Sequence, residues 1–448
     1  MSKADELKVD LEEASLNSSL NHADSADDRL RTLGEKNPYY VHNLAWTVEE
    51  EKRIVRTFDL KILSWIGVMC KYRCFVTRTQ KLVDNEIDSF FFFVCSPVFF
   101  MQLDRGNMAN ALTDNFMDDL HINLNTVTLG STIFTLFFCL FEIPSNMVIR
   151  RAGPQRWIPF LMCFWGLSTA CQFFLKDKAT FLICRALVGM FEAGYIPGIA
   201  IYLTTYYKKD EMATRLSIFW STLAIANSVA GVLAYGILHM RGIAGHAGWR
   251  WLFLFEGLAT VLIGILSFFI LPEGPTATKG GFRFKGYLTD RQEQIAITRL
   301  IRDDPTKADT GKGVVSKKHL FKALTSPRVW PNILIGFFGL LPFSPLTILS
   351  PLIIKNLNLG VAPLVSNLLV IPGYVISLSI MTFVSWSSDK HKERAFHGAV
   401  ASTYYALCIL ALAVLPEDAS KLSLYFALIF AMGGQTCWHP VNVRGGRT

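Results

Sequence analysis

Long blocks of apolar residues constrain this chain more than any other feature. A helix needs about 20 predominantly apolar residues to cross a bilayer, and the sequence holds ten blocks of roughly that length. They are Phe90–Leu112, Asn125–Ile149, Trp157–Leu175, Phe181–Tyr207, Leu216–Leu238, Trp251–Leu271, Trp330–Leu352, Leu364–Trp386, Phe396–Leu415 and Leu422–Trp438. A water-soluble protein with so many such blocks would aggregate. The chain is therefore predicted to be an all-α membrane protein that crosses the lipid bilayer about ten times.

The charge of the chain does not point to nucleic acid as a partner. The formal net charge is +8, but only 18% of the 448 residues are charged, below the roughly 25% of ordinary soluble domains. The Lys and Arg residues lie in short clusters between the apolar blocks, where membrane proteins have their cytoplasmic loops. The positive charge is thus a signal of membrane topology.

Basic residues follow the even-numbered blocks, which predicts the orientation of the chain. These clusters are Arg150 and Arg151, Lys208 and Lys209, the segment Pro272–Val329, and Lys390 with Lys392. The first intervening loop is instead acidic, with Asp114, Asp118 and Asp119. Loops rich in Lys and Arg stay in the cytosol. The N-terminal segment is polar, without the apolar core of a signal peptide, so residues 1–57 are predicted to form a disordered cytosolic tail.

The order of spans and linker predicts two helical bundles. Residues 58–271 form an N-terminal transmembrane bundle with an unusual insert at 70–98, residues 272–329 a basic cytosolic linker, and residues 330–448 an incomplete C-terminal bundle. Transporters built from repeated bundles have this organisation. The insert carries a charged stretch, Lys71–Asp88, which we predict lies outside the bilayer while Phe90–Leu112 serves as the first span.

Tight basic turns recur at equivalent places in the two halves. The loop after the second span contains Arg150, Arg151 and Gly153, and the loop after the eighth contains Asp389, Lys390 and Arg394. Such turns can brace neighbouring helix ends through charge pairs and helix dipoles. We predict that these are gating loops, with a simple topology signal as the alternative.

Four ionisable residues lie inside predicted spans: Asp104, Arg105, Arg185 and Glu192. Each costs at least about 2.5–3.5 kcal/mol at the centre of a membrane helix on insertion scales. Asp104 and Arg105 are adjacent and so point about 100° apart, which prevents them from satisfying one face together. One interpretation is an anion site with a proton carrier, because a buried carboxylate can exchange protons and the arginine fork matches carboxylate or sulphate. The alternative is an inter-helix salt-bridge network without a role in transport.

Several motifs resemble those of the major facilitator superfamily and, within it, the fungal anion:cation symporters. They are Gln102-Leu-Asp-Arg-Gly-Asn-Met-Ala-Asn-Ala111, Phe141-Glu-Ile-Pro-Ser-Asn146, Arg185-Ala-Leu-Val-Gly-Met-Phe-Glu-Ala-Gly-Tyr-Ile-Pro-Gly198 and Gly248-Trp-Arg-Trp-Leu-Phe253. The two basic turns look like degenerate copies of the superfamily's loop motif. The symporter group includes allantoate, nicotinate, pantothenate, biotin and alternative sulphate transporters. The resemblance implies a major facilitator helical bundle, with about ten spans here of an expected twelve.

The resemblance and the buried charges together predict proton-coupled symport of a small anion: a carboxylate, a vitamin, an allantoate-like or a sulphur-containing anion. Arg105, Asn107 and Arg185 are predicted to bind the substrate, and Asp104 and Glu192 to carry protons. No cofactor or metal is expected, no enzyme motif is present, and the predicted location is the plasma membrane. A facilitative carrier of the same fold and a truncated product that does not transport remain alternatives.

Two departures from the family pattern bear on the last alternative. The family's first helix looks divided here, with Ile62–Met69 resembling its start and Phe99–Ala111 its end. We interpret the intervening segment as a retained intron or a gene-model error. Family members also continue for two helices beyond the tenth span, and the last five residues of this chain look like a foreign ending.

Overall fold

The structure is a computed structural model that describes residues 39–41, 43–59, 97–276, 288–308, 325, 327, 330, 343–391, 393, 395–416 and 419–435. Residues 60–96, which hold most of the predicted insert, lie outside the described residues, as does most of the predicted tail. The described residues divide into two compact units, which are described separately below.

Helices account for most of the described residues. Those of ten or more residues are α1 (Val48–Phe58), α2 (Pro97–Ala111), α3 (Leu124–Ala152), α4 (Pro154–Cys171), α5 (Lys178–Glu192), α6 (Tyr195–Thr204), α7 (Lys209–Leu238), α8 (Gly248–Ile270), α9 (Asp290–Asp303), α10 (Phe343–Asn356), α11 (Ile371–His391), α12 (Ala395–Val414) and α13 (Lys421–Gly434). The prediction of an all-α fold is confirmed.

The observed helices match the predicted membrane spans closely. Six helical segments among the described residues are long and apolar enough to cross a bilayer, and they correspond to the second, third, fourth, sixth, eighth and ninth predicted spans. The fifth predicted span contains the apolar helical stretch Ile225–Leu238 within α7, and the tenth contains α13. The first and seventh are represented by α2 and α10, because residues 90–96 and 331–342 lie outside the described part of the chain.

Apolar side chains cover the outward surfaces of these helices. On α3, Leu136, Leu140 and Ile143 are exposed, and on α8 the same is true of Leu258 and Leu262. Their spacing of three or four residues places them on one side of each helix. Contiguous apolar surfaces of this size are rare on soluble monomers, and they suit contact with lipid.

The smaller unit begins with α1, which occupies residues that the sequence analysis assigned to a disordered tail. A capping box starts the helix: Glu50 N donates to Thr47 Oγ1 at 3.2 Å, and Thr47 N donates to the Glu50 carboxylate at 3.0 Å. Ile54 and Phe58 are fully buried in the unit. For residues 48–57 the expectation of disorder was therefore wrong, because the cap and the two apolar anchors stabilise a helix.

A buried arginine on α9 organises the rest of this unit. The Arg299 side chain is fully buried, bonds to Glu211 at 2.9 Å and donates to the backbone oxygen of Tyr206 at 2.7 Å. Glu51 of α1 lies 3.6 Å from Arg299 and also pairs with Lys208. Burial by itself would raise the pKa of Glu51, but the Lys208 and Trp46 hydrogen bonds and the Arg299 charge hold that pKa below its ordinary value.

The larger unit contains the candidate membrane helices. Helix α8 packs along α4, and α5 packs against α3 and α4, with α2 against α8. The C-terminal helices α11, α12 and α13 pack on one another. A hydrogen bond joins the segment after α2 to the segment before α11: the Asn367 side-chain amide donates to Thr113 Oγ1 at 2.7 Å.

Gly189 allows the close approach of α5 to α3. A Cβ atom at this position would lie 2.3 Å from the backbone oxygen of Phe134, and a backbone atom cannot move aside as a side chain can. Gly189→Ala is therefore expected to destabilise the protein by about 1–3 kcal/mol, the usual cost of overpacking. The melting temperature of the detergent-solubilised protein measures this.

Gly236→Ala is the matched control, because nothing lies within 4 Å of the Cβ position at Gly236 in α7. Alanine is favoured over glycine in a helix, so this variant should melt at the wild-type temperature or slightly above it. Equal melting temperatures for the two variants would contradict the proposed close packing.

Candidate substrate and coupling site

Asp104 is anchored by donors from two other helices. Trp165 Nε1 of α4 donates to Asp104 Oδ2 at 2.9 Å, and the hydroxyls of Thr169 and Thr260 lie 3.5 and 3.4 Å from the same oxygen. The side-chain amide of Asn107 lies 3.5 Å from Oδ1. Asp104 is buried. A buried carboxylate is tolerated only where donors replace water, and this set of donors meets that need.

Arg105 points away from its neighbour Asp104, as adjacent residues on a helix must. Its guanidinium pairs with the Glu192 carboxylate of α5 and lies 5.6 Å from the ring centroid of Phe138. Glu192 is almost completely buried, whereas 30% of the Arg105 side chain is exposed. The guanidinium can therefore reach a ligand without leaving the protein interior.

Glu192 lies at a break in the fourth span. Helix α5 ends at Glu192 and α6 begins at Tyr195. Between them Gly194 has φ +79°, and a Cβ atom there would lie 2.4 Å from Ser145 Oγ. The C-terminal end of a helix carries a partial negative charge, which repels a carboxylate there. The positive charge of Arg105 offsets this repulsion at Glu192. Broken helices are where transporters commonly place substrate and ion sites.

Arg185 is buried but has no carboxylate partner among the described residues. Its guanidinium lies 5.0 Å from the ring centroid of Phe134, and its Nε atom lacks a hydrogen-bond acceptor within the described part of the chain. Asp104 and Glu192 are near enough to act on its charge electrostatically. The salt-bridge alternative from the sequence therefore does not describe Arg185, whereas it does describe Arg105.

Sequence reasoning overlooked Glu256 of α8. This residue is 4% exposed, and neither carboxylate oxygen has a hydrogen-bond partner among the described residues. Asn107 and Asp104 are its polar neighbours. The signal was available, because Glu256 is an acidic residue inside the predicted span Trp251–Leu271. The four charged residues predicted to form the site lie on two other spans.

The predicted gating residues are only partly described. Arg150 and Arg151 lie in the last turn of α3, and Gly153, at φ +84°, connects α3 to α4. Neither arginine forms an ion pair with any residue that the structure describes. Lys390 lies 5.1 Å from the ring centroid of Trp386. The Asp389 side chain and Arg394 fall outside the described residues.

The Gly248-Trp-Arg-Trp motif has a structural role at the start of α8. Trp249 Nε1 donates to Asp119 at 2.8 Å, and its ring packs edge-on against Phe116 at 4.9 Å. Arg250 donates to the backbone oxygens of Phe173 and Leu175. These contacts fix one end of α8 and hence the position of Glu256 two turns later.

Comparison with known proteins identifies the family. Residues 94–443 match the family model described as Major Facilitator Superfamily. An uncharacterized transporter of Saccharomyces cerevisiae is 32% identical over 414 residues, which are 91% of this chain and 71% of the relative. A major facilitator-type transporter of Emericella nidulans, hxnP, is 28% identical over 380 residues, covering 82% of this chain and 74% of the relative.

A solved structure has the same fold. The proton:xylose symporter XylE of E. coli superposes with a TM-score of 0.58 at 14% identity, covering 79% of this chain and 81% of XylE. The chain belongs to the major facilitator superfamily. It is a multi-pass membrane transporter, and the family's proteins are transporters rather than enzymes.

Proposed function

We propose that this transporter carries a small organic or inorganic anion together with protons. One observation supports this most strongly: Asp104, Arg105, Arg185 and Glu192 lie together inside the larger unit, and of the two arginines Arg105 alone has a carboxylate partner among the described residues. Arg185 offers an anion a guanidinium that contacts no carboxylate among the described residues, and Arg105 offers a second guanidinium that is paired with Glu192. Buried ionisable groups of this kind are typical of ion and substrate pathways.

The pairing of Arg105 with Glu192 suggests how proton and anion are coupled. When Glu192 takes up a proton, its carboxyl group loses the charge that attracts Arg105. The guanidinium then becomes available to a carboxylate or sulphate group, whose geometry its planar fork matches. When the proton leaves, the ion pair re-forms and displaces the anion. We assign Asp104 as the second proton-carrying residue and Asn107 as a contributor to the same site.

We infer that the chain belongs to the anion:cation symporter branch of the superfamily. The substrate classes are those that the branch motifs imply: carboxylates and vitamins, allantoate-like anions, or sulphur-containing anions. The motif around Asp104 and Arg105 supports this inference, because both of its charged residues take part in the buried cluster. Asp104 accepts from Trp165, and Arg105 pairs with Glu192. We refer below to allantoate, nicotinate, pantothenate, biotin and sulphate as the anion panel.

Uptake into vesicles tests the proposal. The purified chain is reconstituted in proteoliposomes with an inward proton gradient, and uptake of each radiolabelled anion of the panel is measured with and without a protonophore. The proposal predicts uphill accumulation of at least one anion that the protonophore abolishes. A facilitative carrier would equilibrate the anion with no effect of the protonophore, and a polypeptide that does not transport would take up none.

We propose that the N-terminus and the Pro272–Val329 segment are cytosolic and that the transporter resides in the plasma membrane. The basic clusters after the even-numbered spans support this orientation. In intact cells that express a single-cysteine chain with Lys312→Cys, a membrane-impermeant thiol reagent should label the protein only after permeabilisation. Labelling of Cys at position 312 from outside an intact cell would refute the orientation.

A further inference from the structure

Glu256 is the acidic residue of the charged cluster that the proposed mechanism does not use. Its carboxyl group is buried by protein atoms, with 4% of the residue exposed, so it faces neither bulk water nor lipid. An ionised carboxylate without donors or a counter-charge is strongly unfavourable in such a place. Both Glu256 oxygens lack hydrogen-bond donors within the described residues.

Asp104 and Glu256 form a pair of neighbouring carboxyl groups. Thr260 lies one turn after Glu256 on α8, its hydroxyl is 3.4 Å from Asp104 Oδ2, and the Asp104 charge acts on the Glu256 carboxyl group. Asp104 accepts a hydrogen bond from Trp165 at 2.9 Å, whereas Glu256 has the Asn107 amide nearby but no donor in good hydrogen-bond geometry among the described residues. Two neighbouring buried carboxyl groups cannot easily both be ionised, and the donors favour Asp104 as the ionised member.

Among the described residues, no cationic side chain acts on the Glu256 carboxyl group. The helices packed against α8 carry Asp104 and Arg105 on α2 and Arg156, Cys163 and Cys171 on α4. Of these, Asp104 acts on Glu256, and Cys163 lies 3.9 Å from the Val261 backbone oxygen. The Arg105 guanidinium is engaged by Glu192. With Glu256 neutral, the two arginines balance Asp104 and Glu192, and the cluster carries no net charge.

We propose that Glu256 holds a proton in this conformation and exchanges it during transport, as a proton site in addition to Asp104 and Glu192. The O–H bond of the Glu256 carboxylic acid breaks, water takes the proton, and the carboxylate is left until the site is loaded again. The exchange of the proton during transport rests on the proposed proton coupling, whereas the protonation of Glu256 in this conformation does not. The protonation state and the exchange can therefore be tested separately.

Infrared spectroscopy of the full chain in lipid at pH 7 tests the protonation state. The wild-type protein should show a carboxylic-acid carbonyl band that Glu256→Gln removes and that shifts in D2O. Glu49→Gln is the control, because Glu49 is an exposed acid on α1 of the smaller unit, and it should leave the band unchanged. A wild-type spectrum without a carboxylic-acid band, or a band that survives Glu256→Gln, would overturn the proposal.

Glu256→Gln should fold normally, since an amide has nearly the shape of a neutral carboxylic acid. If this variant is lost during purification, Glu256→Leu replaces it, and the D2O shift of the wild-type band still reports a protonated carboxyl group. The absence of this band from the wild-type spectrum would contradict the proposal, and that result requires no variant.

Transport assays test the exchange of the proton. With an anion of the panel that wild-type vesicles accumulate, Glu256→Gln should retain counterflow and lose accumulation above the equilibrium level, while Glu142→Gln retains both. Full protonophore-sensitive accumulation by Glu256→Gln would remove Glu256 from coupling. If the wild-type chain accumulates no anion of the panel, the proposed function fails, and the infrared result still decides the protonation state of Glu256.

Discussion

Arg105→Lys is expected to weaken binding of the transported anion by about 10- to 100-fold. Charge-assisted hydrogen bonds contribute about 1.5–3 kcal/mol each, which corresponds to that range. The lysine ammonium keeps the positive charge but cannot reproduce the planar fork that contacts two oxygens of a carboxylate or sulphate at once. Binding is measured by titrating the purified variant with the anion that the wild-type protein takes up, using tryptophan fluorescence or calorimetry.

Arg156→Lys is the matched control for this substitution. Arg156 is exposed near the start of α4 and lies outside the charged cluster, so the same chemical change there should leave affinity unchanged. Wild-type affinity in Arg105→Lys would remove Arg105 as the anchor of the anion. An equal loss in both variants would mean that the effect does not arise at the site.

Glu192→Gln is expected to separate exchange from accumulation. The amide mimics the protonated acid, so Arg105 stays available to the anion and counterflow across the membrane should continue. Net uptake against a gradient should disappear, because the variant cannot release a proton at this position. Counterflow and net uptake are measured in the same vesicles, and Glu142→Gln serves again as a neutralised acid outside the cluster.

Uphill, protonophore-sensitive accumulation by Glu192→Gln at the wild-type rate would exclude Glu192 from the coupling mechanism. Asp104→Asn is subjected to the same pair of assays. If it also accumulated the anion normally, the symport roles of both residues would have to be abandoned. Loss of counterflow as well as accumulation in Glu192→Gln would instead show that the negative charge is needed for binding.

The membrane spans and most of the charged site could be predicted from the sequence. The length of the apolar blocks is set by the thickness of the bilayer, so they reveal helices directly. The cost of burying charge singled out Asp104, Arg105, Arg185 and Glu192, which the structure brings together. The 100° separation of adjacent helical residues also holds, because Asp104 bonds to Trp165 and Arg105 to Glu192.

The partners within the cluster could not be predicted, because they depend on how separate helices pack. Nothing in the sequence indicates that Arg105 pairs with Glu192 while Arg185 contacts no carboxylate among the residues that the structure describes. The break in the fourth span was also missed. Gly194 and Pro197 mark it, but membrane helices tolerate glycine and proline without breaking, so the signal is ambiguous.

The helix at Val48–Phe58 was missed for a different reason. Its polar composition resembles that of disordered segments, and its stability depends on burying Ile54 and Phe58 against the rest of the smaller unit. The capping box formed by Thr47 and Glu50 was readable in the sequence and marks the start of the helix. In this segment the capping box therefore predicts the helix better than the polar composition does.

Proton movement during anion transport tests the central claim most directly. Vesicles containing the wild-type chain and a pH-sensitive dye are given an inward gradient of a transported anion, with no initial pH difference and with the membrane potential clamped. The account predicts that the lumen acidifies as the anion enters, and that vesicles with Glu192→Gln show no acidification. Entry of the anion into wild-type vesicles without any change in lumenal pH would contradict it.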